Sequence, residues 1–114
     1  MNKRVLGKEK EQLACEFLRR HGIDVIETNF ACRFGEIDIV AREGESLCFV
    51  EVKYRSSPKY GYPEENVGAG KQKKICRSAL FYISGHHYDG NVRFDVVSIF
   101  PDRIRLIRNA FSYI

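Results

Sequence analysis

The sequence predicts an α/β domain, a central mixed β-sheet flanked by helices in the order αβββαββ, with residues 1–114 forming a single domain. Three observations predict it. Branched and aromatic residues come in short strand-like runs, apolar residues at helical spacing precede and separate those runs, and a hairpin in the middle excludes a purely parallel sheet. The second helix lies between strands and can act as a crossover connection, which puts helices over the sheet. A chain of 114 residues is long enough for one core and not for two.

Leu6 to Arg20 reads as the first helix: Leu13, Ala14, Phe17 and Leu18 make an apolar stripe, and Gly22 is a stop signal after Arg19, Arg20 and His21. Glu11 falls at the solvent edge of that stripe. There it is either a boundary glutamate or a carboxylate that reaches past the core toward a neighbouring sheet. Asp24 to Thr28 is a strand. Two more follow, carrying Gly35-Glu36-Ile37-Asp38-Ile39-Val40 and Phe49-Val50-Glu51-Val52-Lys53, joined by the glycine-centred Arg42-Glu43-Gly44-Glu45-Ser46. Ser56 to Gly70 contains Pro58, Gly61, Pro63, Gly68 and Gly70 and reads as a loop. Tyr54, Tyr60 and Tyr62 flank it among Arg55 and Lys59, which suits stacking on bases or an aromatic clasp on a long loop. Lys71 to Ser84 is the second helix, with Ile75, Cys76, Ala79, Leu80 and Ile83 inward and Gly85 ending it; His86 and His87 are solvated. Val92 to Phe100 is a buried strand in which Asp95 reads as structural, paired with Arg93 or Arg105. Arg103 to Arg108 is a peripheral strand.

The hairpin concentrates ions in otherwise apolar sequence, where they are costly without a partner or a task. A turn centred between Gly44 and Glu45 sets Asp38 across from Glu51, Glu36 across from Lys53, Ile37 across from Val52 and Ile39 across from Val50. Alternation then gathers the four charges on one face and these aliphatics on the other. Opposed residues have Cβ atoms roughly 4.5–5.5 Å apart, so two carboxylates there repel unless one is protonated or a cation lies between them. Mg2+ or Mn2+, hard cations with oxygen ligands, resolve that repulsion. Lys53 is no metal ligand at neutral pH, but its ammonium can hold an attacking water or stabilise charge on a phosphate. The same charges also fit a cross-strand ion network on a solvated face, Glu36 with Lys53 and Asp38 with an arginine. A three-residue turn would shift the register and separate Asp38 from Glu51.

Composition narrows the setting. Hydrophobic residues at 44% and charged residues at 30% are ordinary globular values, and no apolar run approaches the length needed to cross a membrane. The basic N-terminus lacks the apolar stretch of a signal peptide, so a cytoplasmic location is expected. Four cysteines without a C-x-x-C pair or a histidine at ligand spacing predict reduced, mostly buried thiols. Net charge is +4, yet seven basic residues between Lys53 and Arg77 face only Glu64 and Glu65. A basic lobe beside an acidic cluster suits a nucleic-acid enzyme, and equally a solvated loop and helix face. Lys71, Lys73 and Lys74 in the first turn of the second helix oppose its dipole by about a few tenths of a kcal/mol each, a penalty that an approaching phosphate reverses.

The layout Gly7-x-x-x-Glu11-x-x-Ala14-x-x-Phe17-Leu18, Asn29, Gly35-Glu36-Ile37-Asp38, Phe49-Val50-Glu51-Val52-Lys53-x-Arg55, Gly61, Val67-x-x-x-Lys71, Ala79-x-x-Tyr82 and Arg93-Phe94-Asp95-Val96-Val97 resembles the YraN family of endonuclease-like proteins over nearly the whole chain. That family is similar in its core to the PD-(D/E)XK nucleases, among them restriction endonucleases and archaeal Holliday junction resolvases. The resemblance implies a restriction-endonuclease-like core in which Asp38 and Glu51 ligate Mg2+ or Mn2+, the Val52 carbonyl adds a ligand, and Glu11 completes the site through a metal-bound water. Lys53 would be the catalytic lysine, and Lys71 would approach phosphate. Arg55, Lys71, Lys73 and Lys74 would track a DNA backbone. Lys10 departs from the glycine common before the helix glutamate. The implied activity is a metal-dependent endonuclease acting on DNA, with branched or structured DNA by analogy with the resolvases. The alternatives are a non-catalytic nucleic-acid-binding module on a nuclease fold and a plain structural domain. Related resolvases work as dimers, so a second copy of the chain is an expected partner, although no self-complementary patch is identifiable in the sequence.

Overall fold

The strand-like runs form five strands and the two apolar stripes form two helices: α1 (Lys3–Arg20), β1 (Asp24–Cys32), β2 (Gly35–Glu43), β3 (Ser46–Tyr54), α2 (Ala69–Gly85), β4 (Asn91–Ile99) and β5 (Ile104–Phe111). The computed structural model describes residues 3–54 and 67–112, with side chains from residue 7 onward. The expected order αβββαββ and the mixed sheet are both present. Most of the expected loop from Ser56 to Gly70 lies outside the described residues, and its last two residues begin α2. No described helix is long and apolar enough to cross a membrane.

The strands stand side by side in the order β1-β2-β3-β4-β5, antiparallel throughout except for the parallel pair β3 and β4. A parallel pair cannot be closed by a tight turn, and α2 lies on the crossover between them. Both central strands are buried on both faces, which is why they read as almost continuous apolar runs. On one face Ile39, Cys48, Val50 and Val97 pack with Ala14 and Leu18 of α1. On the other, Val40, Phe49 and Phe94 pack with Ile75, Ala79 and Tyr82 of α2.

Helical phase corrects two core assignments. Leu13 is 42% exposed and Leu80 is 53% exposed. The buried positions of α2 include Ile75, Ser78, Ala79 and Tyr82, spaced i, i+3, i+4 and i+7, and Leu80 lies off that stripe. Likewise Ala14, Cys15 and Leu18 form the buried stripe of α1, with Leu13 beside it. β1 runs four residues beyond the expected Thr28 to Cys32, because a register shift between Val25 and Glu27 and a positive φ of 53° at Asn29 obscure its alternation. All four cysteines are free thiols, with Cys15, Cys48 and Cys76 buried.

At the hairpin end of the sheet a saturated ion network joins three strands. Arg93 donates to both Asp95 oxygens at 2.9–3.1 Å and to Glu43 at 2.7 Å, Arg108 grips Glu43 with two bonds of 2.8 Å, and the Asn109 amide donates to Asp95 at 2.9 Å. Asp95 is therefore paired with Arg93, one of its two expected partners. Hydrogen bonds from Arg108 and then Arg93 hold the Glu43 carboxyl at about 2, against an ordinary value of 4.5. A depressed carboxyl contributes stability above its unfolded value and loses it as pH falls toward its folded one. Glu43→Gln should lower the melting temperature at pH 6, and the gap from the parent protein should close between about pH 4.5 and pH 2. Thermal denaturation across that range checks it; a gap independent of pH would refute it.

Candidate active site

Gly44 and Glu45 make a two-residue turn, with φ +59° at Gly44, a conformation that glycine adopts without strain. From Glu43–Ser46 to Ile39–Val50 the strands pair in the register expected from the sequence. There the ladder between β2 and β3 stops. The Val52 amide donates to Asp38 Oδ2 at 2.8 Å instead of meeting Ile37. Ile37 leaves the face shared by Ile39 and Val50 and packs in the α2-side core. The start of β2 remains paired with β1 through Ala31–Glu36 and Cys32–Gly35. It also lies close under α2: a Cβ on Gly35 would sit 3.5 Å from Ser78 Oγ and 3.7 Å from Lys74 Cβ. Parted from β3 and held by β1 and α2, this end of β2 opens a cleft.

Asp38 and Glu51 face that cleft together with Lys71 and Lys74 of α2, and Glu36 stands exposed at the rim. A second lobe, which shares Asp38 and Glu36, is lined by Glu11 and Asn29. Glu51 is only 5% exposed, with Lys71 Nζ 2.6 Å and Lys53 Nζ 3.9 Å from its Oε1. Lys53 thus leans along its own strand to Glu51, and the expected Glu36–Lys53 pairing across the strands lies beyond the end of the ladder. Glu11 accepts a hydrogen bond of 2.8 Å from Asn29 Nδ2. The positive φ at Asn29, which asparagine tolerates better than most residues, marks where β1 departs from regular strand geometry beside α1.

The electrostatics are uneven. Burial first, and then repulsion from Glu51, push the Asp38 carboxyl from 3.8 up to about 7, although the Val52 amide and Lys71 pull the other way. Burial alone would lower the Lys71 ammonium, but its hydrogen bond to Glu51 and attraction to both carboxylates raise it. Burial raises the Glu11 carboxyl, the Asn29 bond opposes this, and Glu36 adds to the rise. Burial, ahead of any charge in the cleft, is therefore what sets Asp38 apart.

Among the described residues no three histidine, cysteine or acidic side chains converge closely enough to hold a metal ion. The donors that do face the cleft at this point, the Asp38 and Glu51 carboxylates, are oxygen ligands suited to a hard divalent cation. Because α2 begins at Ala69, two residues before the expected Lys71, Lys71 lies in its first turn and Lys73 and Lys74 stand exposed in the second; the first turn carries no acidic residue and no side-chain cap. Arg55 lies outside the described residues. Lys10, the departure from the glycine pattern, places its Nζ 3.9 Å from the centroid of the Tyr54 ring.

One participant and one contact escaped the sequence reading of the site. Asn29 appeared only as a motif residue and is the group that holds Glu11; Lys71 was expected in the site, but not its bond to Glu51. The signal for Asn29 was a strand-averse residue in a strand, whereas nothing local reveals the partner of Lys71.

Residues 10–99 match the family described as "Uncharacterised protein family UPF0102". A UPF0102 protein of Syntrophus aciditrophicus (strain SB) is 49% identical, covering 93% of this chain and 87% of its own. One from Lachnoclostridium phytofermentans is 45% identical over 98% of this chain and 97% of its own. One from Caldicellulosiruptor bescii is 44% identical over 97% of this chain and all of its own. Among solved structures, that of SSO0001 is similar at a TM-score of 0.48 and 18% identity, covering 93% of this chain and 51% of that one.

An acid whose proton is held more tightly in the fold than in the unfolded chain destabilises the fold as pH rises through that interval. For Asp38 the interval runs from 3.8 to about 7. In metal-free protein Asp38→Asn, which keeps an oxygen for the Val52 amide, should raise the melting temperature at pH 8 by about 4 °C or more and leave it unchanged near pH 3.5. A fall at pH 8 would show that the ionised carboxylate stabilises the fold.

Proposed function

The chain belongs to the UPF0102 family, and we propose that it is a divalent-metal-dependent nuclease that hydrolyses phosphodiester bonds in DNA with little sequence preference. The observation that carries this reading is the Asp38–Glu51 pair: a half-buried and a buried carboxylate facing one cleft, the first of them raised to about 7. A domain selected for stability alone would gain by neutralising Asp38. The resemblance to YraN and PD-(D/E)XK proteins points the same way, since these acids and Lys53 fall on that motif.

Asp38, Glu51 and the Val52 carbonyl would hold Mg2+ or Mn2+, with Glu11, in the adjoining lobe, contributing through a water and not as a direct ligand. When bound, such an ion supplies an activated water and neutralises charge on the phosphate. The Val52 amide fixes the Asp38 carboxylate, and Asn29 fixes Glu11, so both acids are oriented before any ligand arrives. Lys53, beside Glu51, orients the nucleophile and stabilises developing negative charge. Lys71, already balancing Glu51, has a phosphate as its alternative partner once substrate enters. Lys73, Lys74 and Arg55 supply contacts to the backbone that position without reading sequence. Branched DNA as substrate and a homodimer as working form rest on the analogy with resolvases alone.

One observation favours a second reading, a nucleic-acid-binding module without turnover. The Lys71 ammonium sits 2.6 Å from Glu51, so protein cations already meet part of the demand a metal would fill. Titration with Mn2+ separates the two. For the nuclease, Mn2+ at about a hundred times its dissociation constant should stabilise the fold by about 2.7 kcal/mol. That gain should vanish in Glu51→Ala and in Asp38→Asn. Cleavage assays on supercoiled, single-stranded and branched DNA should show activity that falls at least about a hundredfold in Lys53→Ala. Binding without cleavage supports the module, and neither a metal response nor cleavage removes the nuclease.

A further inference from the structure

Next to the cleft, along α2, an exposed aromatic ring, Phe81, and a half-buried one, Phe34, stand among cations. Phe81 is 47% exposed, and its ring centroid lies 6.1 Å from that of Phe34 in the turn between β1 and β2. Behind it, Phe30 lies 6.4 Å away and is itself set edge-on against the buried Tyr82 at 5.1 Å. The exposed ring is thus braced by the core. Arg33 Cζ stands 4.8 Å over the Phe34 ring, and Arg77, one helical turn before Phe81, is exposed. Lys74 belongs both to this surface and to the cleft, where it lines the same space as Asp38 and Glu51. A lone exposed apolar residue needs no explanation; two ordered rings flanked by Arg33, Lys74 and Arg77 and continuous with a candidate active site form a surface of defined chemistry.

Cations beside immobilised aromatic faces complement a chain that carries both phosphates and flat π-systems. Bases in a duplex are stacked on one another and cannot offer their faces to such rings, whereas unpaired bases can. From Lys74 to Phe81 is about 10 Å along the helix axis, or roughly three stacked nucleotides.

We propose that Phe81 and Phe34 form a stacking platform for unpaired bases next to the cleft, so that the preferred ligand is a nucleic acid with a single-stranded segment. The identity of the strand leading into the cleft rests on the nuclease reading; the platform itself is read from Phe81, Phe34 and their cations.

Fluorescence anisotropy in EDTA, where no cleavage occurs, tests the platform on labelled oligothymidine and on a duplex of equal length. The single strand should bind more tightly. Phe81→Ala should weaken its binding about tenfold and leave the duplex nearly unchanged, while Phe81→Tyr should retain it. Equal loss on both ligands, no loss on either, or no single-strand binding by the parent protein overturns the proposal. So does a Phe81→Ala variant that turns a dimer into a monomer in sedimentation without changing DNA affinity, since the surface would then serve a second copy of the chain. Manganese-dependent cleavage, measured separately with Asp38→Asn as control, keeps the two ideas apart: a platform without cleavage removes the nuclease, and cleavage indifferent to Phe81 removes the platform.

Discussion

The hydrogen bond from the Val52 amide to Asp38 is the contact from which the candidate site follows. An amide that would have extended the ladder between β2 and β3 is satisfied by a carboxylate instead, and the two strands separate. In the gap lie the side chains that sequence pairing alone would have brought together, now with room for a ligand between them. Because the N-terminal end of α2 stands over the same gap, Lys71 reaches Glu51, and because β1 stays attached to β2, Asn29 and Glu11 line the adjoining lobe. A small local preference for a side chain over a backbone partner thus determines what four elements present to solvent.

The sheet carries charge at both ends, and the ends differ in kind. Near the hairpin, Glu43 and Asp95 are matched by Arg93 and Arg108 through bonds of 2.7–3.1 Å, and the Glu43 carboxyl stays ionised well below the usual range. Near the cleft, burial first and then repulsion from Glu51 drive Asp38 upward, although Lys71 pulls the other way. Burying charge is expensive at either end. One end recovers that expense through pairing at every carboxylate, whereas at the other Glu51 is paired with Lys71 and Asp38 has the Val52 amide as its bonded partner.

What the sequence disclosed followed from local rules. Glycine at position 44 defined the turn, the turn defined the register, and the register held as far as Ile39–Val50. The apolar runs of the central strands and the need for a crossover gave the mixed sheet. Local rules failed where a partner came from elsewhere in the chain. Alternation put Ile37 beside Ile39, but the parting of the strands sent it to the opposite core. Hydrophobicity put Leu13 and Leu80 inside, but the faces of α1 and α2 were set by how the helices dock, and Tyr82 and Ser78 took the inner places on α2. The bonds from Lys71 to Glu51 and from Asn29 to Glu11 cross from helix to strand, and no spacing in the chain encodes them.

The parallel pairing of β3 with β4 bears on the order of assembly. Ser46 pairs with Asn91, 45 residues later, while the three antiparallel strands before it close through short turns. Loop-closure entropy favours early formation of the local meander, and the distant strand can add only after α2 has been carried across the sheet. The two acids on that meander would then meet one another before Lys71 arrives to neutralise them. On the meander only Lys53 is at hand to offset their repulsion, and docking of the crossover both completes the hydrophobic core and adds the second, closer cation.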